Sequence, residues 1–175
     1  MRVVVIGAGI GGLALARGLT ERGHEVSVYE SAEELRSGGV GPTLYPNGTA
    51  ALLALGVDVS SLGRALETMV LRTPAGEVRG AVDLAALATE LGYGVRQLPR
   101  RSLLGTLVGG LPEETVRFGR VCVAVRGAAS GPVVVLDGGE QVDADVVVGA
   151  DGVRSVVRRE LWGVSDVRET GWASW

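Results

Sequence analysis

Residues Val3–Gly12 read VVVIGAGIGG, an apolar run that breaks into alternating glycines. The four aliphatic residues Val3 to Ile6 have the length and branching of a fully buried strand. Gly11 to Arg22 then reads as a helix, with Leu15, Leu19 and small neighbours on its apolar face, and Gly23 is placed to stop it. Val26 to Glu30 alternates into a second strand, so the first thirty or so residues make a strand, helix, strand unit. That order predicts parallel pairing through a right-handed crossover. Gly7, Gly9 and Gly12 form G-x-G-x-x-G at the strand-to-helix turn. In that position Gly7 permits a tight turn, Gly9 lets the backbone approach a pyrophosphate, and Gly12 lets helix and strand pack closely. The helix N-terminus, with its unsatisfied N–H groups and positive dipole end, suits that anion. Glu30 closes the second strand about 20 residues on, where a carboxylate accepts hydrogen bonds from ribose hydroxyls and disfavours a 2′-phosphate. NAD-binding and FAD-binding proteins share this fingerprint.

Outward from it, residues 31–48 form a Gly- and Pro-rich connection, and TAALLALG reads as a short helix closed by Gly56. Thr68 to Thr73 and Glu77 to Asp83 read as a hairpin turned by PAGE. A helix is expected over Arg101 to Leu107. From Thr115 to Asp143 short β-branched runs alternate with Gly-rich turns such as DGGE, which predicts one strand of the main sheet followed by a three-stranded antiparallel meander. Asp145 to Val148 reads as a further buried strand, with GADG opening a helix behind it. An NAD dehydrogenase would be expected to continue with strand and helix alternation after residue 31. The meander favours FAD.

Composition narrows the field. At 175 residues the chain can bury a substantial core. Its one cysteine, Cys122, excludes an intrachain disulfide, fits a reducing cytoplasmic setting and reads as a core residue. The net charge is −3 with signs interspersed, and all 17 basic residues are arginine, without a basic stripe that would suit nucleic acid. The N-terminal run could imitate a secretory leader, but its glycines and Glu30 fit the dinucleotide turn instead. No other stretch approaches a membrane span. With His24 as the only histidine, and at a helix-ending turn, no metal site is expected. Trp162, Trp172 and Trp175 read as packing residues.

Several stretches together resemble the FAD-dependent aromatic hydroxylases, the single-component flavoprotein monooxygenases. They are VVVIGAGIGGLALARGL with Glu30, LRSGGVGPTLYPNG from Leu35 to Gly48, RSLLGTL from Arg101, and GADGVRSVVR from Gly149 to Arg158. The resemblance implies an α/β fold: a Rossmann-like FAD-binding domain with a parallel sheet and an antiparallel meander, over 1–66 and 84–161. The beginnings of a substrate-domain sheet would lie at 67–83 and 162–175. It implies FAD, with NADPH or NADH as reductant, and a small, often aromatic substrate, hydroxylated or epoxidised through a flavin C4a-hydroperoxide. Cofactor contacts would come from Gly7, Gly9, Gly12, Glu30, Arg36, Arg101, Asp151 and Arg158, with no side chain as a catalytic group. Independently of the family, Arg101 offers a fork of donors for a phosphate or ribityl oxygen, while it, Arg100, Arg36 and Arg158 can each also be solvated charges. Asp151 can bind a cofactor or cap a helix. Family members continue for about as many residues again, so a C-terminal complement, as a continuation or a separate chain, is expected as a partner. Two other readings stay open: a module using FAD structurally, and an NAD-linked oxidoreductase. Reduction of bound flavin by NAD(P)H tests the first, and a visible flavin spectrum the second.

Overall fold

The computed structural model describes residues 1–35, 38, 41–128, 131–163 and 167–172. In chain order its elements are β1 (Arg2–Ile6), α1 (Ile10–Glu21), β2 (Glu25–Tyr29), β3 (Thr43–Leu44), α2 (Pro46–Ala54), β4 (Arg64–Leu66), β5 (Thr68–Arg72), β6 (Val78–Asp83), α3 (Leu84–Leu91), β7 (Val95–Gln97), α4 (Arg100–Gly109), β8 (Val116–Arg117), β9 (Cys122–Ala128), β10 (Gly131–Leu136), β11 (Gln141–Asp143), β12 (Val146–Gly149) and α5 (Val156–Trp162). They divide into two compact units, residues 1–35 with 108–175, and residues 36–107.

The first unit is built on a sheet of order β12-β1-β2-β8, every pair parallel. Val4, Ile6 and Tyr29 point to one face, where they pack with Cys122, Val134 and Leu136 of the antiparallel meander and Val157 of α5. Val3, Val5 and Val28, one position out of step, supply the other face, on which α1 lies. Strand alternation thus divides the apolar residues between two layers. The expected meander is present as β9, β10 and β11, and Cys122 is buried in the core it makes.

α1 departs from its expected facing. The residues it buries are Gly12, Leu13, Ala16 and Gly18, whereas Leu15 is exposed. Close approach to the sheet selects the small residues with Leu13, and leaves the larger Leu15 outside. The helix ends as expected: the N–H groups of Gly23 and His24 reach back to the carbonyls of Thr20 and Leu19, with Gly23 at φ +78°. That is a Schellman closure, which needs a left-handed residue where glycine stands.

β12 is not the buried strand that its sequence suggests. Among the described residues it is an edge strand, paired only with β1, and Val146 is exposed on it. Nor does GADG open a helix directly. Residues 150–155 form a turn, and α5 begins at Val156.

In the second unit, β3, β7 and β4 make a small antiparallel sheet that falls partly inside the stretch read as a plain connection. Two- and three-residue strands leave too short a pattern to find by periodicity. α2 starts at Pro46, earlier than expected, because proline is already suited to a first helical turn. α3 was not anticipated. Its N-cap is Asp83, whose carboxylate accepts from the Ala86 N–H at 2.9 Å, and left-handed Gly92 closes it. The hairpin β5–β6 forms about the PAGE turn, with Met69 opposite Val82 and Val70 opposite Ala81. No third strand joins it among the described residues, and Val70, Leu71, Val78 and Val82 remain exposed.

The tryptophans are not packing residues here. Trp162 and Trp172 are 75% and 90% exposed, and Trp175 lies outside the described residues.

Candidate dinucleotide site

Three loops meet at one edge of the main sheet because β12, β1 and β2 are adjacent and parallel: Gly7–Gly9 after β1, Glu30 after β2, and Ala150–Ser155 after β12. This is the carboxyl edge, where open α/β sheets place ligands.

The glycines in the turn do separate work. Gly7 sits at φ +104°, and a Cβ added there would stand 2.5 Å from the Ala150 carbonyl oxygen. A Cβ on Gly12 would collide with the Gly7 carbonyl. These two are required by the chain's own packing. At Gly9 and Gly11 an added Cβ would meet nothing within 4 Å, so the space in front of the turn is unfilled. Gly9 is also the N-cap of α1, and no side chain caps that helix end. Its first-turn N–H groups therefore adjoin space that no described side chain fills within 4 Å of a Cβ at Gly9 or Gly11, the arrangement an anion needs. The donor set and the clear space fit a pyrophosphate.

Glu30 is half-buried and tied to the turn. Its Oε2 accepts from the Ala8 N–H at 2.8 Å, while Oε1 accepts from the Ala32 N–H at 2.9 Å and the Ser31 hydroxyl at 3.1 Å. The Gly7 N–H completes the link by donating to the Tyr29 carbonyl at 2.8 Å. The carboxylate is thus held in place at the end of β2, beside the turn.

Asp151 is bound from the other side. Its Oδ1 accepts from the Ser155 hydroxyl at 2.5 Å, and its Oδ2 from the N–H groups of Val156 and Val157 at 2.6 and 3.2 Å. Ser155 in turn accepts from the Arg158 N–H at 2.9 Å. Of the two roles open to Asp151 from sequence, the cap of α5 is thus formed. Arg158 turns its guanidinium back onto the Val153 carbonyl.

Arg101 lies in the first turn of α4, in the second unit. It is exposed, and neither it nor Arg100 has a hydrogen-bond or ion-pair partner among the described residues. Arg36 lies outside the described residues. No group of three or more metal-ligating side chains occurs among those described. A cleft of about 340 Å³ opens elsewhere, beneath β11 and over Arg2, Glu25, Ser27 and Arg117, and includes none of the expected site residues.

Sequence reading passed over Ser155, Ala150 and Gly149. Ser155 carried a usable signal, since a serine directly before the VVR run is an N-cap pattern. Ala150 and Gly149 carried none, because their importance is a matter of what lies against them: Ala150 walls the Gly7 turn, and Gly149 faces Val157.

The model of the NAD(P)-binding Rossmann-like domain matches residues 5–55. The chain is 37% identical to the 3-amino-4-hydroxybenzoate 2-monooxygenase of Streptomyces cremeus, over 92% of this chain and 42% of that protein. It is 35% identical to the 2-heptyl-3-hydroxy-4(1H)-quinolone synthase of Pseudomonas aeruginosa, over 100% of this chain and 46% of the relative. Among solved structures, Klebsiella pneumoniae HpxO in complex with FAD and uric acid superposes with a TM-score of 0.81 at 30% identity, over 91% of this chain and 41% of that one. The 2,6-dihydroxypyridine-3-hydroxylase of Arthrobacter nicotinovorans gives 0.76 at 28% identity, over 93% of this chain and 40% of its own. The chain spans less than half the length of these curated relatives. By sequence and by fold, the chain is similar to a part, under half, of FAD-dependent aromatic hydroxylases among the flavoprotein monooxygenases.

Proposed function

We propose that this chain is the FAD-binding portion of an NAD(P)H-dependent monooxygenase that hydroxylates or epoxidises a small aromatic molecule. The observation that carries the reading is the uncapped N-terminus of α1, which opens at Gly9 onto space that, among the described residues, nothing fills within 4 Å of an added Cβ. The pyrophosphate binds there, on backbone N–H groups, with the helix dipole favouring its charge. Glu30 receives the adenosine ribose hydroxyls, and Asp151 stands on the opposite side of the turn. Arg101 reaches the flavin side through a charge-assisted bond, and Arg36 and Arg158 assist as further cations.

Bound FAD would supply the redox chemistry, accepting reducing equivalents from NADH or NADPH and activating dioxygen. The chain's own part is to bind the cofactor, orient it and help to exclude water. The substrate class rests on relatives and neighbours named for aminohydroxybenzoate, quinolone and dihydroxypyridine. The family model's description mentions NAD(P), but the β9–β11 meander and the FAD complexes among the neighbours favour FAD at this turn.

The β5–β6 hairpin is the start of the substrate domain. A two-stranded ribbon with exposed valines and leucine is marginal in water by itself. It is completed by a C-terminal complement, either as a continuation or as a separate chain. No described helix is long and apolar enough to cross a membrane, and the single thiol supports a cytoplasmic setting. The test is titration of the chain with FAD, read by visible absorbance and flavin fluorescence. A saturable flavin spectrum, reduced by NAD(P)H once the complement is present, is the expected result. Binding of NAD without FAD would replace this reading by the NAD-linked one, and bound flavin inert to NAD(P)H by the structural one.

A further inference from the structure

We propose that Ser155 is a positioning residue for the glycine turn, acting through Asp151 and the backbone of Ala150. The inference rests on the dinucleotide reading only for its purpose; its geometry stands alone. The turn at 150–155 has two attachments. On one side, the Ala150 N–H donates to the Ile6 carbonyl at 2.8 Å, and its carbonyl occupies the place where a Gly7 side chain would be. Its side chain lies close enough to Gly12 that a Cβ there would stand 3.2 Å away. Ala150 is therefore the wall against which the glycine turn is moulded. On the other side, Asp151 is fastened to α5 by three donors, of which the Ser155 hydroxyl at 2.5 Å is the only side chain. Ser155 also caps Arg158, so one hydroxyl joins the carboxylate to the helix start.

An ordinary N-cap would stabilise α5 and nothing more. Here the chain from the cap to the wall is short: Ser155 to Asp151, and Asp151 directly to Ala150. Loss of the hydroxyl removes the donor on Oδ1 and leaves the carboxylate held through Oδ2 alone, which loosens the 150–151 backbone against Gly7 and Gly12. Both are glycines with no side chain of their own to hold the turn's shape.

Hydrogen exchange on the ligand-free chain separates the two roles. In Ser155→Ala, the bonded amides of the turn, Gly7, Ala8 and Leu13, should exchange about fivefold faster, as should those of 156–162, while α3 in the other unit keeps its rate. Ser155→Thr, which retains the hydroxyl, should restore Gly7, Ala8 and Leu13. Asp151→Asn, which keeps shape but weakens the charge-assisted bonds, should fall between. Faster exchange confined to 156–162 would show a plain helix cap and overturn the proposal, as would failure of threonine to rescue. A parallel titration with ADP, which can occupy only the turn and the Glu30 side, tests the dinucleotide reading by itself. An unbound wild type there would end that reading and leave the exchange result to judge Ser155.

Discussion

Gly7 and Gly9 occupy one motif for unlike reasons, and substitution separates them. Gly7→Ala places a Cβ against the Ala150 carbonyl at a φ of +104°. The backbone conformation alone costs about 1–3 kcal/mol for a residue with a side chain, and the clash adds to it. A lower urea midpoint, with or without ligand, is the expected result. A Cβ at position 9 meets no atom within 4 Å, so Gly9→Val should fold and yet lose FAD binding, because the new side chain fills the approach to the N–H groups. A folded Gly9→Val with unchanged flavin affinity would refute the site. The neighbouring arginines divide in the same way. Removal of one hydrogen bond to a charged group costs about 1.5–3 kcal/mol, so Arg101→Ala should weaken FAD binding tenfold or more, with Arg100→Ala near neutral. Equal effects in the two titrations would mean that neither, or the other, is the ligand.

Among elements, α5 and β9 enclose the one thiol. Burial pushes the Cys122 thiol above its ordinary pKa, and the Asp151 carboxylate adds to the shift, against a weaker lowering by a backbone hydrogen bond with Ala124. The folded chain therefore holds its proton more tightly than the unfolded chain does. That contribution to stability is complete below the ordinary thiol pKa and is lost as pH rises from there through the raised value. Cys122 should accordingly alkylate far more slowly than a free thiol at mildly alkaline pH, and recover the free rate in urea. Mass spectrometry of iodoacetamide-treated protein checks this. Rapid labelling without denaturant would show the meander to be open around it. β12 behaves as its exposure demands: flanked by β1 alone, it is held by one ladder and by the turn that follows.

At the scale of the whole molecule, each unit leaves apolar surface uncovered. In the first, Leu161, Trp162 and Trp172 are exposed, and in the second, the valines and leucine of β5–β6. Relatives are more than twice as long as the stretch they share with this chain. A reactive flavin must be closed off from water, and on the proposed reading the further walls belong to the complement. The isolated chain is expected to bind FAD weakly and to hydroxylate nothing. An NAD(P)H oxidation assay with product analysis, run with and without the complementary polypeptide, checks it. Coupled hydroxylation by residues 1–175 alone would overturn that expectation.

The β1–α1–β2 unit, the glycine turn and the meander were legible in the sequence because their signals are local. Strand alternation, G-x-G-x-x-G, left-handed Gly23 and the DGGE turn each act within a few residues, and the structure keeps each where the pattern puts it. Other features depend on what packs against what, and no local pattern holds that information. α1 buries Leu13 and Ala16 in place of Leu15 because the small residues allow a closer approach to the sheet. β12 reads as a buried strand by its valines, yet no described strand pairs with its outer edge. Asp151 reads from sequence as a cofactor ligand first and a helix cap second, and only the placement of Ser155 and the first amides of α5 shows the capping bonds. Sequence alone determined that the chain builds a tight glycine turn between strand and helix, since such a backbone needs glycine wherever it occurs. Tertiary structure decided which glycines serve the fold and which leave room for a ligand, because that depends on Ala150, brought against Gly7 from more than 140 residues away.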